Sequence, residues 1–179
     1  MRKIILGLIA LTLLLTCQKE SQTKENTTSK TPNFKVILEG VFTKNDRFQL
    51  FYASNSETFD ENRSIIIPIY GEPILQQIVF DVPKNIKPTK IRLDFGENKA
   101  QGEISIKNIS FFYKNDSING DFGSFSEYFD PSASVVYNAQ KLIYELPVNE
   151  VYDPLIEGNS KLEDALKKLY NKKPTEESK

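Results

Sequence analysis

Chemistry in this chain must come from carboxylates, hydroxyls, amides and one thiol. Its 179 residues include no His, no Trp, one Met and one Cys, with 8 Tyr and 12 Phe. Without His there is no Ser-His-Asp triad, no Cys-His dyad and no imidazole metal ligand. A lone Cys excludes an intrachain disulfide and a Cys-rich zinc site. Asp81, Asp94 and Glu103 are the carboxylates a glycoside-hydrolysing pair would draw on. No spacing singles out two of them, and acidic residues are ordinary on strand faces and in turns. The run Asn115-Asp116-Ser117-Ile118-Asn119-Gly120 begins like a calcium loop, but position 12 falls on Ser126, where a bidentate Glu is required. Asn119-Gly120 reads better as a turn. There is no Walker loop and no dinucleotide fingerprint. The expectation is a protein that is not an enzyme and that carries no cofactor and no metal. Net charge is −1, from 23 basic and 24 acidic residues, which leaves no basic footprint for nucleic acid.

Binding chemistry is better represented than catalysis. Tyr52, Tyr70, Tyr113 and Tyr128 fall at strand ends or in loops, where rings commonly meet ligands. Arg63, beside Asp60-Glu61, offers donors for hydroxyl groups. Tyr52, Arg63, Tyr70, Tyr113 and Tyr128 are therefore the candidate ligand-binding residues. For each ring the competing reading is a rim residue, packed on one side with its hydroxyl wet.

The one thiol has a specific context. Arg2 and Lys3 precede an apolar run from Ile4 to Leu15. A membrane span needs ~20 apolar residues, so this run is too short and fits the apolar region of a signal peptide. It ends in Leu14-Leu15-Thr16-Cys17, which resembles a bacterial lipobox. The resemblance implies cleavage after residue 16 and acylation of Cys17. Ordinary secretion with an incidental Cys, or an uncleaved anchor, are the alternatives. One acyl chain binds a bilayer marginally, and two or more hold it stably. The expected location is the cell envelope of a Gram-negative bacterium, as an outer membrane lipoprotein facing either the periplasm or, as Gln18-Lys19-Glu20 suggests, the cell surface.

The elements that must position these residues follow from hydropathy. Residues 17–33 hold the acylated Cys and a tether, QKESQTKENTTSKTPN, too polar to offset ordering entropy. From Phe34 the chain turns to short β-rich runs separated by turn residues. These are Phe34–Leu38, Phe48–Tyr52, Ser64–Tyr70, Ile78–Val82, Ile91–Phe95, Ile104–Tyr113, Val135–Tyr137 and Leu142–Leu146. Ile91, Leu93 and Phe95 alternate with Arg92 and Asp94, as a strand with one buried face requires. Apolar parity switches across Asn108, which predicts a β-bulge. Pro68 predicts an edge strand or a bulge. Near the end, Ser160-Lys161-Leu162-Glu163 reads as a capping box, and Leu162, Leu166 and Leu169 line one face of a helix. The predicted organisation is a signal peptide at 1–16, anchor and linker at 17–33, a β-sandwich at 34–157, a helix at 158–171 and a tail at 172–179. The fold class is all-β: a jelly-roll-type antiparallel sandwich with a short C-terminal α-helix.

The succession Phe48–Tyr52, Ser64–Pro68, Val79–Pro83, Ile91–Gly96, Gly102 and Ile104–Ile109 resembles jelly-roll domains of the galactose-binding-like, carbohydrate-binding-module type. It covers about residues 34–115. The resemblance implies a non-catalytic binding module for glycan or a partner protein, displayed on a lipid anchor. The alternative is a structural or assembly lipoprotein without a sugar site.

Overall fold

The computed structural model describes residues 33–54, 57–148 and 151–172. Cys17, the segments 1–16 and 18–32, and the residues after 172 lie outside the described residues.

Six long strands come first: β1 (Phe34–Phe42), β2 (Asp46–Ala53), β3 (Ser64–Ile69), β4 (Glu72–Asp81), β5 (Lys90–Asp94) and β6 (Glu103–Tyr113). Shorter ones follow: β7 (Asp116–Ile118), β8 (Phe129–Pro131), β9 (Val136–Asn138), β10 (Ile143–Glu145) and β11 (Leu155–Gly158), then helix α1 (Ser160–Asn171). Three 3-10 segments intervene, at Glu61–Arg63, Lys99–Gln101 and Asp121–Tyr128. The strands form two antiparallel sheets. One runs β4-β1-β6-β10-β9, with β7 also paired to β6; the other runs β3-β2-β5-β11-β8. The links β1–β2, β3–β4, β4–β5 and β5–β6 each change sheet, as a jelly-roll-type sandwich requires.

Alternation explains the core. Side chains of a strand point to opposite faces in turn, and β1 alternates buried with half-buried along its whole length. Phe34, Leu38 and Phe42 of β1, Phe48 and Leu50 of β2, Ile91 and Leu93 of β5, and Phe111 of β6 are all fully buried between the sheets. On the other face of β5, Arg92 and Asp94 pair in a two-point contact of 2.8 and 2.6 Å. The register of β6 on β1 slips between Glu39↔Asn108 and Gly40↔Ile106, so the bulge falls beside Asn108. Pro68 lies on β3, an edge strand, as expected.

Two local expectations need correction. Asn159, not Ser160, caps α1: its side-chain oxygen accepts from the backbone N–H of Lys161 (3.0 Å) and of Leu162 (3.4 Å). Ser160 is the first helical residue. Asn159 prevails because its side-chain N–H also reaches the Glu127 carbonyl at 3.0 Å, tying the helix start to the sandwich. Asn119-Gly120 is not a hairpin turn either. The β6–β7 hairpin turns at Lys114, whose φ is 58°, and Gly120 instead presses against β6. A Cβ there would lie 2.5 Å from the Ile109 carbonyl oxygen and from Phe125.

Leu162, Leu166 and Leu169 are buried, and α1 covers the end of the sandwich where β1 begins and β6 finishes. Tyr170 makes edge contacts with Phe34 (5.9 Å) and Tyr113 (5.1 Å), and its hydroxyl donates to the Pro88 carbonyl at 2.6 Å. Among the described residues no helix is long and apolar enough to cross a membrane.

Candidate functional site

The two sheets part company along the flank bordered by β8 and β9. Tyr144 of β10 pairs with Ile104 of β6 on one side and with Tyr137 of β9 on the other. Paired residues share a face, and Ile104 points into the core. The Tyr144 and Tyr137 rings therefore extend the inner face of their sheet outward, with centroids 5.0 Å apart. Beyond β8 no strand of the second sheet lies opposite them. The result is a cavity of about 670 Å³, walled by Ile106, Phe125, Phe129, Pro131, Tyr137, Tyr144 and Ile156, with Phe122, Gly123, Ser126 and Leu142 about its opening.

Two turns build the opening, and both break a local rule. In Asp121–Tyr128, two short 3-10 turns meet at a kink where Phe122 (φ 58°) and Gly123 (φ 80°) are left-handed. The serines satisfy carbonyls that such short turns leave free: Ser124 donates to Asp121 O at 2.9 Å and Ser126 to Gly123 O at 2.7 Å. The kink buries Phe125 and leaves Phe122 fully exposed. In the β9–β10 hairpin, the Asn138 side-chain oxygen accepts from the N–H groups of Gln140 and Lys141, both at 3.1 Å. Leu142 then closes the loop at φ 57° and is 67 % exposed. Left-handed backbone at a bulky residue is uncommon and costs about 1–2 kcal/mol. Here it occurs at a Phe and a Leu that flank one opening.

The electrostatics of this cavity are simple. No acidic or basic side chain lines it. Burial, reinforced by the neighbouring Tyr137, pushes the Tyr144 phenol up to about 12 and so favours its neutral form. The Ser126 hydroxyl is engaged, whereas neither the Tyr137 nor the Tyr144 hydroxyl bonds to another described residue. Such a wall can bury an apolar surface and meet one or two polar atoms through phenols.

A second hollow, of about 630 Å³, lies near the end sealed by α1, and two of the sequence candidates meet there. Tyr52 and Arg63 line it together with Glu57, Lys87, Lys167 and Tyr170. The Tyr52 ring is only 5 % exposed, however, and Tyr113 only 7 %. Both rings pack into the core, so neither presents an open face to a ligand. Alternation explains this: Tyr52 shares the inward parity of Phe48 and Leu50 on β2, and Tyr113 that of Ile109 and Phe111 on β6. The Lys87 ammonium lies over the rings of Tyr113 (5.3 Å) and Tyr170 (5.9 Å). Arg63 pairs with Glu57, whose carboxyl that contact holds below its usual range. Tyr70 stands apart between β3 and β4, 70 % exposed. Tyr128 ends the 3-10 segment half-buried, its carbonyl accepting from Asn159 N–H at 3.0 Å. Neither lines this hollow or the aromatic cavity.

Asp81 pairs with Lys35 and Asp94 with Arg92, so each carboxyl is engaged by a cation. Burial raises the Asp94 carboxyl despite that pairing. Among the described residues no three His, Cys, Asp or Glu side chains converge as a metal site would need. The chain matches no family model, and neither a curated protein nor a solved structure is significantly similar to it.

Proposed function

We propose that this chain is a non-catalytic binding module, held at a bacterial envelope by acyl chains on Cys17, with the aromatic cavity as its binding site. The observation that carries the reading is the pairing of that cavity with its opening. Five aromatic side chains and no charge line a space of about 670 Å³, and Phe122 and Leu142 stand exposed beside it. Pockets of ~300–1,000 Å³ with apolar walls and a few polar groups are the usual form of a small-ligand site. Between glycan and partner protein, the lining favours a ligand with an uncharged apolar face over a hydroxyl-dense sugar. Buried sugar hydroxyls need partners, and these walls offer few.

The test uses the full chain carrying Cys17→Ser and the neutral dye Nile red. Saturable one-to-one binding that weakens in Phe122→Gly supports the reading. Dye uptake that ignores Phe122→Gly, or no uptake, rejects the cavity as the site. The anchor is tested separately: Cys17→Ser should release the protein from membranes or block its maturation. Failure of an acyl probe to label the wild type would reject lipidation.

A second reading, a structural or assembly subunit, draws on the opposite flank. There Ile66, Tyr70, Ile74, Leu75 and Val79 are exposed along edge strands β3 and β4 and the link between them. Exposed apolar residues on two edge strands suit subunit docking. Concentration-dependent self-association or a stable envelope partner lost on Leu75→Lys would favour it.

A further inference from the structure

We propose that the cavity's ligand is the hydrocarbon chain of an uncharged single-chain lipid, such as a monoacylglycerol, with its ester or hydroxyl group met by the phenols of Tyr137 and Tyr144. The inference rests on reading this cavity as the binding site, and it adds the class of ligand.

Three features point the same way. First, the walls carry no charged side chain. An ionised group brought inside would lose its hydration with no counter-charge in return, so the bound part must be neutral. Secondly, the walls are not wholly inert. The Tyr137 and Tyr144 hydroxyls bond to no other described residue, so they are available to meet a donor or acceptor of the ligand in place of water. A chain with one ester or hydroxyl meets both demands; a sugar or a zwitterionic peptide brings too many polar groups. Thirdly, the opening is greasy at a cost. Phe122 and Leu142 reach it from two separate turns, each on left-handed backbone that glycine would adopt without strain. An apolar side chain kept where glycine fits better implies a contact that the unliganded molecule does not make. A chain longer than the cavity supplies that contact as it leaves through the opening.

The experiment displaces Nile red from the full chain carrying Cys17→Ser with monoacylglycerols of increasing chain length. Affinity should rise roughly fourfold per added CH₂ until the cavity is full, then level off. The ionised fatty acid of equal length should bind at least tenfold more weakly than the ester. Leu142→Gly should weaken the ester roughly fivefold while leaving the unfolding midpoint equal or higher. A merely structural Leu142 would lose stability and keep its affinity. Dye that binds but is not displaced, or displacement indifferent to chain length, overturns the lipid inference and leaves the binding-module reading standing. No cavity-dependent dye binding overturns both. If the acylated wild type refuses dye that the Cys17→Ser form accepts, a free single-chain lipid is not the occupant and the inference is overturned. If both forms take up the ester equally, the lipid comes from outside.

Discussion

Two concavities of this domain, the aromatic cavity and the hollow near α1, are nearly equal in volume and opposite in chemistry. The hollow near α1 is bordered by Arg63, Lys87, Lys167 and Glu57; the cavity between β8 and β9 has no charge at all. The charged hollow looks the more reactive, yet its charges are answered from within. Arg63 has Glu57, Lys167 has Glu163 and Asp164 at 3.7 Å each, and Lys87 lies over two rings. The phenols of the neutral cavity bond to no other described residue, and its rim is exposed. Size does not separate them. A ligand gains most where the protein has left its own groups unmatched, and that is the neutral cavity.

The sharpest contrast to test is between the sealed end and the open flank. Leu166→Ala, at a fully buried position of α1, should cost about 2–5 kcal/mol in urea unfolding. Ligand affinity should persist in the fraction that remains folded. A cost below ~1 kcal/mol would show that α1 does not seal the core. The next effect is one of pH. Free Tyr titrates near 10, whereas Tyr144 should ionise only near 12. A folded pKa raised in this way contributes stability below pH 10 that is lost as pH climbs towards 12. Difference absorbance should show a late-titrating tyrosine fraction that shrinks in Tyr144→Phe; an unchanged curve would place Tyr144 in water. Asn159→Ala should cost about 1 kcal/mol through the lost helix cap, and a silent substitution would return the cap to Ser160. The smallest effect is expected at Arg63→Ala, whose exposed pair should leave the unfolding midpoint unmoved. Loss of ligand binding in that variant would move the site back to the charged hollow.

The long strands were legible because burial on one face imposes alternation, as Ile91, Leu93 and Phe95 show. The short strands β7, β8 and β11 were not. They hold at most two apolar residues in a row, unlike the runs that mark the equally short β9 and β10, and Pro131 within β8 argues locally against a strand. The cavity was hidden for a related reason. Leu142 reads as the first residue of a strand, and only the left-handed closure of the hairpin turns it outward. Tyr137 and Tyr144 were visible as strand residues, but nothing in their spacing shows that they are directly paired. Tyr52 and Tyr113 read as strand-end rings, but they share the inward parity of Phe48 and Leu50 and of Ile109 and Phe111, so the rings lie inside.

The meeting of Phe34 with Tyr170 bears on how the domain is made. These rings stand at the first strand and the last helix, and they touch. A chain that emerges from its N-terminus can pair β1 with β4 and β6 early, but the apolar end of those strands stays open until α1 has followed. Closing so long a loop comes late, after shorter-range pairings have formed. During that interval Phe34, Phe111 and Tyr113 present an apolar surface to whatever is near. The last dozen residues of the domain thus decide how long a half-made sandwich remains sticky, and truncations there should surface first as aggregation.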